Sequence, residues 1–145
     1  MYSSHKESII CPNCHRTFKT DIIDLIEFSK DLDLIPKFLK GDIHKVKCPH
    51  CKFNLKLERA VLIIVDPESF MIWAIPPSLK DKYREEKVQQ LIELVGNYTP
   101  LLKESLSEFK LELSVGFENT INKIKNYVSM NKKRFPEDVL KIINI

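Results

Sequence analysis

The sequence predicts an α+β protein: an antiparallel sheet with a cysteine-built ribbon at one end, packed by helices from the C-terminal half. Three observations predict it. All four cysteines fall in two copies of one spelling, Cys11-Pro12-Asn13-Cys14 and Cys48-Pro49-His50-Cys51. Residues 60–65 and 70–75 are apolar on both faces and flank the turn Asp66-Pro67-Glu68-Ser69, so they read as a central hairpin that needs cover on both sides. Beyond Pro76-Pro77 the apolar spacing is mostly that of helices.

The elements follow in order. Residues 16–22 alternate, with Phe18 and Ile22 on one side, and the strand extends toward Phe28. Residues 31–40 break the alternation. Pro36 suits the first turn of a short helix and Gly41 its stop. Residues 43–47 lead into the second cysteine pair as a short strand, and residues 53–57 leave it as another. Ser78, with Asp81 three residues on, opens a helix expected to reach Val95 before Gly96-Asn97. Residues 99–107 carry no clear pattern. Residues 109–115 alternate as an edge strand. Phe117, Ile121, Ile124 and Val128 recur at helical spacing, and Pro136-Glu137-Asp138 starts a last helix. The expected organisation is one unit, with ribbon and hairpin in 1–77 and helices plus one strand in 78–145.

Two Cys-x-x-Cys pairs give four thiolates, the donor set of a closed tetrahedral zinc site. Cys11, Cys14, Cys48 and Cys51 are therefore the expected metal ligands. Zinc is preferred, and iron uses the same four ligands. The 33 residues between Cys14 and Cys48 exceed a usual ribbon spacer of ~15–20, so this is a zinc ribbon with an insertion over 23–41. A positive φ suits the place after each second cysteine, and glycine adopts it freely. His15 and Lys52 stand there, so the loops are expected to be strained or differently shaped. Four protein thiolates leave no position for a reactive water, so the site is expected to be structural.

Cys48-Pro49-His50-Cys51 is also the active-site spelling of oxidising thiol–disulfide enzymes. That chemistry needs a helix N-terminus after the first Cys, whereas residues 53–57 follow at strand spacing. No Walker loop, G-x-S-x-G or H-E-x-x-H motif is present, and three glycines supply little phosphate-cradling loop. No catalytic residue and no enzymatic activity are expected. His5, His15, His44 and His50 surround the cysteines. With four thiolates already assembled, they are expected in solvent or behind the ligands.

Hydrophobic residues make up 43% of the 145 and charged residues 30%, so the chain buries a real core. The net charge of +3 marks no dedicated nucleic-acid binder, and only four of 23 basic residues are arginine. Two basic stretches are candidates for nucleic-acid contact. One is Lys45, Lys47, Lys52, Lys56 and Arg59. The other is Lys123, Lys125, Lys132, Lys133 and Arg134. The competing reading of both is a solvated face, plus partial neutralisation of the thiolates. No apolar run approaches the ~18 residues of a membrane span, and residues 1–8, with no apolar h-region, are not expected to act as a secretory leader. Free thiols at metal spacing fit a reducing cytoplasm.

With both knuckles and the hairpin placed, the chain resembles the CpXC-domain family of bacterial and archaeal proteins. The resemblance rests on Ile10-Cys11-Pro12-Asn13-Cys14, Leu39-Lys40-Gly41-Asp42-Ile43 and Lys47-Cys48-Pro49-His50-Cys51. It continues through the hairpin around Asp66-Pro67 to Ile75-Pro76, then Phe109-Lys110-Leu111-Glu112 and Pro136-Glu137-Asp138-Val139. It implies a zinc-knuckle domain and leaves the activity open. The expected function is a non-enzymatic, zinc-stabilised interaction domain whose partner is another protein. A nucleic-acid-binding zinc ribbon is the alternative, and thiol redox or metal transfer the third.

Overall fold

The computed structural model describes residues 2–82 and 110–144. Its main sheet has five strands: β1 (Ser3–Ile10), β2 (Thr17–Glu27), β5 (Val61–Asp66), β6 (Phe70–Ile75) and β7 (Lys110–Val115), in the order β1-β2-β5-β6-β7. A separate two-stranded hairpin joins β3 (Lys45–Lys47) to β4 (Asn54–Lys56). The helices are α1 (Leu34–Leu39), α2 (Phe117–Met130) and α3 (Glu137–Ile143), with 3₁₀ turns at Pro77–Lys82 and Lys132–Arg134.

The α+β class and the C-terminal helices match expectation, but the sheet is mixed. β1/β2 and β5/β6 pair antiparallel, whereas β2/β5 and β6/β7 pair parallel. The physical reason lies in the connections. After β2 the chain passes through α1, β3, the second cysteine pair and β4, and so returns to the end where β2 began. A strand entering from there must run parallel to β2, and such a return takes a dozen residues or more. Each cysteine pair is the turn of its own hairpin, β1/β2 or β3/β4. The helix expected from Ser78 to Val95 begins as the 3₁₀ turn. Its remainder and residues 99–107 lie outside the described residues.

The central hairpin lies in the middle of the sheet and is buried along nearly its whole length. One face presents Val61, Ile63, Val65, Phe70 and Ile72 to Ile35 and Phe38 of α1, Ile124 and Val128 of α2, and Val139 and Ile143 of α3. The short helix α1 thus joins the C-terminal helices as cover. Each such side chain contributes ~1.5–3 kcal/mol by burial, so Ile72→Ala alone costs ~2–5 kcal/mol. The other face gathers Leu62, Ile64, Met71, Trp73 and Ile75 with Leu25, Leu79 and Leu113. Gly41 ends α1 at φ +74°, as a left-handed helix stop requires, and the Phe117 ring lies 3.6 Å from where a Cβ would sit.

The hairpin turn is pinned to the helices. Asp66, buried, accepts from Tyr127 Oη at 2.8 Å and from the Glu68 backbone N–H at 3.0 Å, and pairs with Arg134 Nε at 3.3 Å. Tyr127 stacks on Phe70 at 4.5 Å. Burial first, and then Asp66, raise the Tyr127 pKa.

Candidate metal centre

The two cysteine turns have the same backbone wiring. His15 N donates to Cys11 O and Lys52 N to Cys48 O, both at 2.9 Å. Cys11 N donates to Arg16 O at 3.0 Å and Cys48 N to Phe53 O at 2.9 Å. Closing each turn this way requires a left-handed residue after the second cysteine. His15 takes φ 60° and Lys52 φ 66°. The turns therefore keep the shape that glycine would make easy, and carry strain there.

The first cysteine of each pair, Cys11 and Cys48, is fully buried, while Cys14 and Cys51 are half-buried. Ile9, Phe18, Val46, Leu55 and Leu57 pack around them as a cluster apart from the main core. All four Sγ atoms lie within 4.8 Å of one another. Cys11 Sγ is 3.6 Å from Cys51 Sγ, and Cys14 Sγ is 3.7 Å from Cys48 Sγ. A tetrahedron of sulfurs ~2.3 Å from a central ion has edges of about 3.8 Å. The four cysteines thus fit one soft tetrahedral cation.

The surroundings favour a thiolate at Cys51. Asn13 Nδ2 donates to Cys51 Sγ at 3.4 Å, crossing from one turn to the other. The Asn13 amide and then the Phe53 backbone N–H pull the Cys51 thiol down to about 6, against burial. At Cys14 the largest influence, the Arg16 backbone N–H, also favours the thiolate. Burial and the three neighbouring sulfurs together still push that thiol up to about 11. Four sulfurs this close cannot all ionise without a cation between them. Composition and spacing do not reveal Asn13 or the two amides. The only signal was an amide side chain at the x of the first Cys-Pro-x-Cys.

The family model described as CpXC protein matches residues 9–133. The chain belongs to the CpXC family. No curated protein matches it, and no solved structure does. The CpXC match spans both cysteine turns, the central hairpin and α2, so the sulfur cluster and the sheet that carries it lie inside the family's region. No helix among the described residues is long and apolar enough to cross a membrane.

The histidines fall outside the sulfur cluster. His15 and His50 are exposed, as expected. His5, half-exposed, bonds Asp24 at 2.8 Å and Glu7 at 3.1 Å, and these contacts, Asp24 first, raise its pKa. His44 departs from expectation. It is neither in solvent nor behind a ligand but buried, bonded through Nε2 to the Ile23 carbonyl at 3.0 Å. A carbonyl only accepts, so Nε2 carries the proton. Burial pushes the His44 pKa down.

The two basic stretches separate by what holds them. Arg59 grips Glu7 with contacts of 2.6–3.2 Å, tying the loop before β5 to β1. Lys123 pairs with Glu112 at 3.3 Å. Arg134 is engaged by Asp66, Glu68 and Ser69. These three candidate nucleic-acid contacts are thus each engaged by a carboxylate of the chain itself. Lys125, Lys132 and Lys133 are exposed on α2 and the turn after it. Lys45, Lys47, Lys52 and Lys56 are exposed on the second cysteine hairpin.

Proposed function

We propose that this CpXC chain is a non-enzymatic interaction domain folded around one structural zinc ion held by Cys11, Cys14, Cys48 and Cys51. The observation that carries the reading is the sulfur geometry: two cross-hairpin edges of 3.6 and 3.7 Å against the ~3.8 Å of a zinc tetrathiolate. The ion would cross-link two hairpins that also share the small cluster of Ile9, Phe18, Val46, Leu55 and Leu57, and so fix the β3/β4 hairpin against the main sheet. Iron fits the same donors. Zinc is preferred because a closed four-thiolate site is its ordinary structural use. Four protein ligands fill the coordination shell, which argues against a metal-bound water and hydrolysis.

Thiol redox is disfavoured by the local backbone. Cys48 and Cys51 sit in a hairpin turn followed by β4, not at a helix N-terminus. The test is Cys48→Ser in the full chain, compared with wild type by metal content and by thiol–disulfide exchange turnover. The proposal expects loss of the metal from the variant and no turnover by either protein. Turnover by wild type that disappears in the variant, with no metal in either, would contradict it.

A further inference from the structure

We infer that the outer face of the β3/β4 hairpin docks on B-form DNA, with Lys45, Lys47, Lys52 and Lys56 on its phosphates. This rests on the proposal that a metal closes the cysteine turn from which the hairpin springs. The register pairs Lys45 with Lys56, Val46 with Leu55 and Lys47 with Asn54. Strand alternation therefore turns Val46 and Leu55 inward, onto the cysteine cluster. Lys45, Lys47, Asn54 and Lys56 share the opposite, exposed face, and Lys52 is exposed in the turn between the strands.

Four cations thus stand together on a segment that has no acidic residue from Ile43 to Leu57. Asp42 and Glu58 bracket it. Asp42 bonds Lys45 at 2.8 Å. Lys47, Lys52 and Lys56 have no ion pair among the described residues. Lys45 and Lys56 face each other directly across the ladder, an arrangement of like charges that weakens a hairpin. A cationic face on which three of four lysines have no ion pair among the described residues, built at a cost to its own strand pairing, is complementary to a polyanion.

Shape selects which polyanion. Three residue pairs make a ribbon about 10 Å long with strands about 4.8 Å apart. The ~12 Å major groove of B-DNA admits a two-stranded ribbon, whereas the A-form RNA groove is too narrow. Lysines supply point charges to phosphates rather than base readout, so sequence preference should be weak. The second basic stretch lacks this arrangement: Lys125 lies on α2 and Lys132 and Lys133 on the turn after it, not on a two-stranded ribbon, and Lys123 and Arg134 are held by Glu112 and by Asp66 and Glu68. The competing role for the ribbon lysines is to neutralise the thiolate centre.

The test is fluorescence anisotropy of a labelled 20-base-pair DNA duplex of mixed sequence with the full chain, with metal content measured on the same samples. Four lysine–phosphate contacts at ~0.9 each give a slope of log K against log salt of roughly −3.6, so binding weakens roughly 150-fold between 50 and 200 mM salt. The K47Q/K52Q/K56Q variant should keep its metal and fall to a slope of roughly −0.9, about 3.5-fold over that range. K125Q/K132Q/K133Q should keep the wild-type slope. No binding by metal-loaded wild type, an unchanged slope in the ribbon variant, or an equal loss in the second variant would overturn the inference. So would tighter binding to an RNA duplex or to polyglutamate. Loss of metal from the ribbon variant would assign the lysines to the thiolate centre instead. Wild-type protein without metal defeats the metal proposal, and that is read before any DNA is added.

Discussion

Lys52→Gly should stabilise the metal-loaded protein, although it deletes an exposed charged side chain. Lys52 sits at φ 66°. A residue with a Cβ pays ~1–2 kcal/mol in that left-handed region. Glycine does not, but its freer unfolded chain returns ~0.5–1 kcal/mol. The net gain is ~0.5–1 kcal/mol. Little else changes, because the Lys52 side chain is exposed and the backbone N–H that donates to Cys48 O remains in glycine. If the metal holds this turn in its closed shape, as proposed, the gain should appear as a metal affinity about 2- to 5-fold tighter. Lys52→Ala keeps the Cβ and should stay within ~0.5 kcal/mol of wild type. Lys52→Pro cannot reach this φ and loses the N–H, so it should lose more than glycine gains. Chelator-competition titration reads the affinities, and urea denaturation of the loaded protein reads the stability. A glycine variant no tighter than wild type, or an alanine variant improved as much, would refute the strain argument. His15→Gly should act in the same direction with a smaller gain, since histidine tolerates the conformation better.

Three further predictions concern single contacts. Asn13→Ala removes the donor to Cys51 Sγ and should weaken metal binding ~10-fold, and Asn13→Asp, which sets a carboxylate beside that sulfur, should weaken it more. Equal affinities across the three proteins in a competition titration would show that the contact carries nothing. Tyr127→Phe leaves the buried Asp66 one donor short and should cost ~1–3 kcal/mol by urea denaturation, and a loss below a few tenths would mean that Asp66 is satisfied without it. His44 has its folded pKa pushed below its unfolded value near 6.5, so its contribution is intact above that pH and declines as pH falls toward the folded pKa. His44→Gln keeps a donor for Ile23 and should flatten the decline in stability between pH 7 and pH 5 relative to wild type, and an equally steep decline would exclude His44 as its source.

The elements with strong local signals were legible from residues alone. The double-sided apolar runs around Asp66-Pro67 became β5 and β6, and Pro136-Glu137-Asp138 became the start of α3. The spelling Cys-Pro-x-Cys located both turns. Sheet direction was not legible, because residue patterns specify which face a strand buries and not which way its neighbour runs. The parallel β2/β5 pairing follows from where the crossing through β3 and β4 returns the chain. At the site, four cysteines were readable as a group, but the crossing Asn13 contact depends on how two hairpins meet. His44 was misjudged for a similar reason. It stands one residue before β3, and only the tertiary fold brings the Ile23 carbonyl to its ring. Charge runs were the least informative. Arg59 and Arg134 belong to basic stretches in sequence and to Glu7 and Asp66 in space.

The most direct test of the central claim is native mass spectrometry of untagged protein purified without chelator, paired with a thiol-reactivity count. The account predicts one zinc ion per chain and four thiols that stay unreactive until the metal is removed. A metal-free chain with four freely reactive thiols, or with a disulfide forming reversibly between Cys48 and Cys51, would contradict it.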